Sequence, residues 1–438
     1  LKTLRPDTVP ARRPRWLPEG AERFASVLLA TRGLRGFCDG FVAVLLPAYL
    51  LALGLGVWEV GLLSTVTLAG SAAATLAVGA VGHRVRTRRL LRGAALLMMA
   101  TGLGFAAFGT VASPAWWPSW MPFLSPFSSP FSSPFWPLAV VAFFGTLNPS
   151  AGDVSLFLPI EHAQLAQAAH THHARTALFA RYSLTGSLCA AVGALASGLP
   201  ALAVAHAGWP LLTALRSMFV LYAAVGGVVW LLYRRLPAAP PETSAAPAPL
   251  DASRAVVVKL AALFCVDSFA GGLLVNALLA LWLFQRFGVS LAQAGQFFFW
   301  AGLLTTSSQL LAPVLARRIG LLNTMVFTHI PASLCLIGAA LSPSLPLALA
   351  LLLARAACAS MDVPARSAYV MAVVTPAERA AAASFTAVPR SLASALGPSI
   401  GGALLASGFL AAPLVLCGGL KIAYDLALLY TFRDLRIE

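Results

Sequence analysis

The chain has 438 residues, of which 59% are apolar and only 10% charged, with a mean hydropathy of +0.82. Soluble domains carry about 25% charged residues, so this composition excludes an ordinary water-soluble protein. The net charge of +15 is scattered over separate segments, with no continuous basic patch, and this excludes a nucleic-acid binder.

A helix that crosses a bilayer needs about 20 predominantly apolar residues. In chain order such runs fall at 26–52, 58–81, 90–112, 137–158, 177–199 and 210–233, then at 256–283, 291–315, 321–341, 346–363, 383–406 and 411–431. The first run is too long for a signal-peptide core and predicts a retained helix. The pattern predicts an all-α polytopic membrane protein with twelve transmembrane helices. It divides the chain into a basic N-terminal segment (1–25), a six-helix bundle (26–235), a linker rich in Pro and Ala (236–255) and a second six-helix bundle (256–438). An insertion at 113–136 repeats Pro126-Phe127-Ser128-Ser129 as Pro130-Phe131-Ser132-Ser133, and proline at every fourth position prevents a helix there.

Orientation follows from the arginines, because loops rich in Lys and Arg remain on the cytoplasmic side. Lys2, Arg5, Arg12, Arg13, Arg15 and Arg23 precede the first run; Arg84, Arg86, Arg88, Arg89 and Arg92 follow the second; the opposite loops hold only Arg286. Both termini are therefore expected in the cytoplasm.

The two halves share a pattern of rare residues. Asp153 and Arg181 are 28 residues apart, as are Asp362 and Arg390, 209 positions later. Asp39-Gly40-Phe41 recurs as Asp267-Ser268-Phe269, and Leu215-Arg216 as Leu420-Lys421. Internal duplication of this kind predicts two pseudo-symmetric bundles with a solute site between them.

Two motifs give a resemblance. Gly79-Ala80-Val81-Gly82-His83-Arg84-Val85-Arg86-Thr87-Arg88 is similar to the Gly-x-x-x-Asp-Arg-x-Gly-Arg-Arg loop of the major facilitator superfamily, matching at Gly79, Arg84 and Arg88, with His83 where that family has Asp. Gly397-Pro398-Ser399-Ile400-Gly401-Gly402 resembles the Gly-Pro-x-x-Gly-Gly element of drug and proton antiporters, although it lies in the eleventh helix and that element lies in the fifth. A packing role for Gly397, Pro398, Gly401 and Gly402 is the simpler reading, since glycines let helices approach closely. The resemblance implies a bacterial transporter of this superfamily with helices 1, 4, 7 and 10 lining a central cavity.

Charges within apolar spans are the best site candidates, because each costs at least about 2.5–3.5 kcal/mol unless paired or hydrated. Arg32, Arg35 and Asp39 are spaced i, i+3, i+7 on one stripe of helix 1. Arg35, Asp39, Asn148, Asp267, Asn276 and Arg355 are the candidates for the substrate and proton-coupling cavity, with Asp39 either carrying protons or neutralising Arg35. Asp153, Arg181, Asp362 and Arg390, with Gly79, His83, Arg84 and Arg88, are the candidates for a cytoplasmic gate. Lys421, Asp425 and Arg216 lie on helices expected outside the bundle and are read as structural. His162, His170, His172 and His173 are read as a solvated loop, with no metal site. The six cysteines, all in apolar runs, form neither a disulfide framework nor a Cys-x-x-Cys.

No phosphate-binding loop follows a strand, and no nucleophile stands near a base, so neither an ATP-driven pump nor an enzyme is expected. The expected function is secondary active transport of a small solute by alternating access, proton-coupled and exporting, in the inner (plasma) membrane. The alternatives are an uptake symporter and a non-transporting sensor or scaffold. The expected partners are the solute, protons and lipid, with the protein a monomer and without a cofactor.

Overall fold

The computed structural model describes residues 17–81, 85–108, 133–150, 155–169, 171–237, 250–251, 253–375 and 378–433. Among these, the first half holds α1 (Ala25–Ala52), α2 (Val57–Val81), α3 (Thr87–Phe108), α4 (Phe135–Phe144), α5 (Phe157–Gln167), α6 (His172–Ala196), α7 (Leu199–Ala207) and α8 (Leu211–Tyr233). The second holds α9 (Arg254–Gly272), α10 (Asn276–Phe287), α11 (Leu291–Ile319), α12 (Leu321–Leu341), α13 (Leu345–Cys358), α14 (Asp362–Val373), α15 (Arg379–Ala406) and α16 (Ala412–Phe432). Ten segments, some of them joining two consecutive helices across a break, are long and apolar enough to cross a membrane. With the broken α4–α5 pair and α15 they make the twelve crossings of an all-α membrane protein in two six-segment bundles. Exposed apolar side chains such as Phe144, Leu341 and Tyr430 cover the outside, where lipid is the solvent.

The crossings differ from the predicted runs where the sequence disfavours a continuous helix. The run predicted at 137–158 is two helices: α4 stops at Gly145, and Pro149, which has no amide hydrogen and pushes Asn148 out of the helical region, prevents continuation. The run at 256–283 breaks after the Gly271-Gly272 pair, where helix propensity is lowest. The run at 346–363 is interrupted at 359–361 and then extends to Val373. Each break leaves backbone groups without helical partners. Two of the breaks satisfy one another, because the Ala277 amide donates to the Pro149 carbonyl at 3.0 Å, across the two halves.

Local signals set several ends. Ser290 and Gln293 form a capping box at α11, the Gln293 amide donating to Ser290 Oγ at 3.2 Å. Thr171 Oγ1 accepts from the Ala174 amide at the start of α6, so His172 and His173 begin a helix and do not lie in a loop; His170 lies outside the described residues. His162 is on α5, its ring edge-on to Phe179 and Tyr182. Most of the insertion at 113–136 lies outside the described residues.

The halves pack through α2 against α15, α6 against α11, and α1 against α10 and α11. Their closest approaches bring Gly61 to Gly402, Gly295 to Ala194 and Gly302 to Ala191, and the Ser399 amide donates to Thr65 Oγ1 at 2.9 Å. These contacts lie toward the ends of the helices remote from the arginine-rich loops, so the molecule is closed on that face.

One contact anchors the chain as it enters the second half. Glu378, ahead of α15, accepts from the Asp251 amide at 2.6 Å, the Ser253 amide at 3.1 Å and Thr375 Oγ1 at 3.0 Å. Hydrogen bonds from Ser253, then from the Asp251 amide, hold its carboxyl down at about 2, against an ordinary 4.5. A lowered folded value means that the contribution of this contact is complete above pH 4.5 and is lost as pH falls toward about 2. Hydrogen exchange of the Asp251 and Ser253 amides should therefore be unchanged by protonation of Glu378 from pH 8 to 5, and Glu378→Gln should accelerate it throughout that range.

Candidate functional site

Where α1 and α6 face α10, α11, α12, α13 and α16, the halves enclose a cavity of about 380 Å³. Two of the predicted cavity residues line it: Asn276, in the first turn of α10, and Arg355, in the last turn of α13. Arg32, His329 and Lys421 line it as well. The other four candidates stand back from the wall. Asn148 is buried, and its side-chain oxygen accepts from the Ser150 amide at 3.1 Å and from Ser150 Oγ at 2.7 Å, which shapes the break after α4. Asp39 is half-buried on α1 and makes no hydrogen bond or ion pair among the described residues.

Arg35 forms no salt bridge with Asp39 among the described residues. It pairs with Glu161 of α5, whose carboxylate is fully buried. Glu161 also accepts from Thr31 at 2.9 Å, from Tyr233 at 2.6 Å and from Tyr182, so one carboxylate ties α1, α5, α6 and α8 together. The guanidinium of Arg35 lies 4.1 Å from the Phe157 ring centroid. A buried ion with this many donors is compensated without water, and these contacts make the cluster a strut of the first bundle.

Asp267 is buried one layer behind the cavity wall. Its carboxylate accepts from Lys421 Nζ at 2.6 Å and from Arg366 Nη1 at 3.1 Å, and Arg366 lies 3.4 Å from Asp362. His329 Nδ1 lies 3.0 Å from Asp425 Oδ2. An ionised Asp425 requires the proton on that nitrogen, which leaves Nε2 to face Lys421 Nζ at 3.4 Å. Lys421 therefore sits between a carboxylate, an imidazole and the open cavity. Lys421 and Asp425 do not lie on the lipid-facing side expected for this helix, because α16 turns both inward.

The gate candidates are only partly brought together. Asp153, His83 and Arg84 lie outside the described residues; Arg181 is half-buried on α6, and Gly79 is exposed near the end of α2. Arg88, in the first turn of α3, donates to the Leu236 carbonyl at 3.3 Å, linking the start of α3 to the segment after α8. Asp362 and Arg390 do not pair in this conformation: Asp362 engages Arg366, and Arg390 Nε donates to Ser268 Oγ at 2.9 Å. Gly397 and Gly401 lie against the backbone of Gly272 and Leu273, at the break between α9 and α10. A Cβ on Gly402 would fall 2.7 Å from Gly61 Cα. With Pro398 inside α15, this element occupies the crossings of α15 with both α9 and α2.

Twelve crossings around a central polar cavity are what the superfamily resemblance implies, and the model described as Major Facilitator Superfamily matches residues 28–356 and 260–436. The chain belongs to this superfamily. It is 24% identical over 448 residues to an uncharacterised membrane protein of Saccharomyces cerevisiae, YJR124C, with 94% of each chain covered. Its fold is similar to that of the nucleoside transporter NupG, with a TM-score of 0.66 at 16% identity over 94% of this chain and 100% of that one. It is also similar to the inward-open xylose transporter XylE from E. coli, with a TM-score of 0.69 at 15% identity over 95% of this chain and 97% of that one. As a superfamily member the chain carries two functional candidates that sequence reasoning passed over, Lys421 and His329. The signal for Lys421 was present, because a lysine among apolar residues needs a partner or water.

Proposed function

We propose that this protein is a proton-coupled secondary active transporter that moves a small solute by alternating access. The observation that carries the reading is Lys421, which faces the cavity while bound to the buried carboxylate of Asp267. If Lys421 leaves Asp267, a buried carboxylate loses its nearest cation and its affinity for a proton rises. A solute that displaces Lys421, or a change of state that moves α16, then changes the protonation of Asp267. This supports transport over a scaffold role, since a scaffold gains nothing from an expensive polar cavity.

The arginine asymmetry supports placing both termini in the cytoplasm of a plasma membrane, the inner membrane if the source is bacterial. Closure on the opposite face then supports an inward-open state, in which a cytoplasmic gate through Asp362 and Arg390 is not engaged. Export in exchange for protons rests on the resemblance of Gly397–Gly402 to the antiporter element, and uptake together with protons is the alternative. Flux into proteoliposomes under an imposed pH gradient, screened over solutes, tests the reading: solute should accumulate on the acidic side for export and on the alkaline side for uptake. Fluxes indifferent to the gradient would remove proton coupling.

A further inference from the structure

The charges around the cavity do not balance. Here the second half gathers four fixed cations, Arg355, Arg366, Arg390 and Lys421, and three carboxylates, Asp267, Asp362 and Asp425. Arg366 is shared by Asp267 and Asp362, Lys421 is on Asp267, His329 is on Asp425 and Arg390 is on Ser268. The Arg355 side chain makes no hydrogen bond or ion pair among the described residues, and it lines the cavity. Arg355 and Arg390 are thus the two cations of this group without a carboxylate partner among the described residues, and of the two Arg355 lines the solute space. None of the described residues lining the cavity is acidic.

An unpaired guanidinium between membrane helices has to be compensated by water or by a ligand. Its planar fork matches the two oxygens of a carboxylate or sulfonate. Lys421 and His329 present further nitrogen atoms to the same space, and Phe297, Phe298 and Leu352 give it an apolar wall. A volume near 380 Å³ is at the small end of ligand pockets, which run from about 300 to 1,000 Å³. A neutral solute would leave Arg355 uncompensated, and a cation would be repelled.

We propose that the cavity takes a small organic anion, an apolar or aromatic body with one carboxylate or sulfonate head held by Arg355 and Lys421. The inference rests on the transporter reading and names its substrate class.

The test does not depend on which solute is carried. A single reporter, Ala301→Cys on the cavity wall, is placed in the full chain with the six native cysteines replaced. Its modification is timed in detergent with a sulfonate-bearing, a neutral and a quaternary-ammonium-bearing thiosulfonate reagent. A second reporter on an exposed loop normalises the intrinsic rates. Clefts with one sign of charge raise the local concentration of the opposite ion by about 10-fold or more, so the normalised sulfonate rate should exceed the ammonium rate by at least about 10-fold. Arg355→Gln should collapse that ratio and leave the neutral rate unchanged, which also shows that the variant keeps its cavity. An ammonium rate equal to or above the sulfonate rate would overturn the inference, as would a ratio unchanged in Arg355→Gln. The measurement reads charge preference in a protein that is not transporting, so gradient-indifferent flux with a strong sulfonate preference would remove the coupling and keep the anion.

Discussion

Arg35→Ala should destabilise the first bundle by about 3–5 kcal/mol, because it leaves a buried carboxylate without its cation. Glu161 is 0% exposed, and after the substitution only the hydroxyls of Thr31, Tyr182 and Tyr233 would remain on it. Glu161→Ala strands Arg35 in the same apolar surroundings, and a loss of similar size is expected. The double variant Arg35→Ala with Glu161→Ala should be milder than either single change, since no charge is left uncompensated. Thermal unfolding in detergent, followed by the amount of monodisperse protein, measures all three. Single variants within about 0.5 kcal/mol of the parent, the range of ordinary surface substitutions, would mean that the cluster is hydrated and is not a strut.

Asp267→Asn should have the opposite profile, with folding largely kept and gradient-driven accumulation lost. Arg366 keeps Asp362 as a partner, so the cost to folding should stay near the about 1–3 kcal/mol of an impaired buried hydrogen bond. An amide cannot exchange a proton in this range, and Lys421 would lose the carboxylate it is bound to at 2.6 Å. Accumulation should fall to simple equilibration while solute counterflow persists, and Asp267→Glu should restore part of the accumulation. Lys421→Met should also uncouple, by leaving Asp267 with Arg366 as its closest remaining cation. Accumulation in Asp267→Asn that still follows the imposed pH gradient would take this carboxylate out of the proton path.

The number of crossings and their duplication were legible in the sequence, because apolar length and repeated rare charges are local properties. The partners of those charges were not. Asp39 and Asp267 occupy equivalent places in the repeat, yet Asp267 is held by Lys421 and Arg366, whereas Asp39 has no hydrogen bond among the described residues. Arg35 was expected to serve Asp39 one turn away, but a carboxylate 126 positions along the chain holds it. Glu161 escaped notice because the predicted fourth run ended at 158, and only the break after α4 shows that the crossing continues through α5 to Gln167. Arg366 likewise lies beyond the predicted end of the tenth run at 363, and only the continuation through α14 to Val373 brings it into the crossing.

The bond between the Ala277 amide and the Pro149 carbonyl joins two interrupted helices from opposite halves. Because both atoms belong to the main chain, side-chain drift at either position leaves the link in place, and proline at 277 is the substitution that deletes the donor. A single hydrogen bond of this kind contributes a net of about 0.5–1.5 kcal/mol, which shifts a two-state ratio by roughly 2- to 13-fold. A link of that strength favours the conformer that holds it and is still weak enough for thermal motion to break.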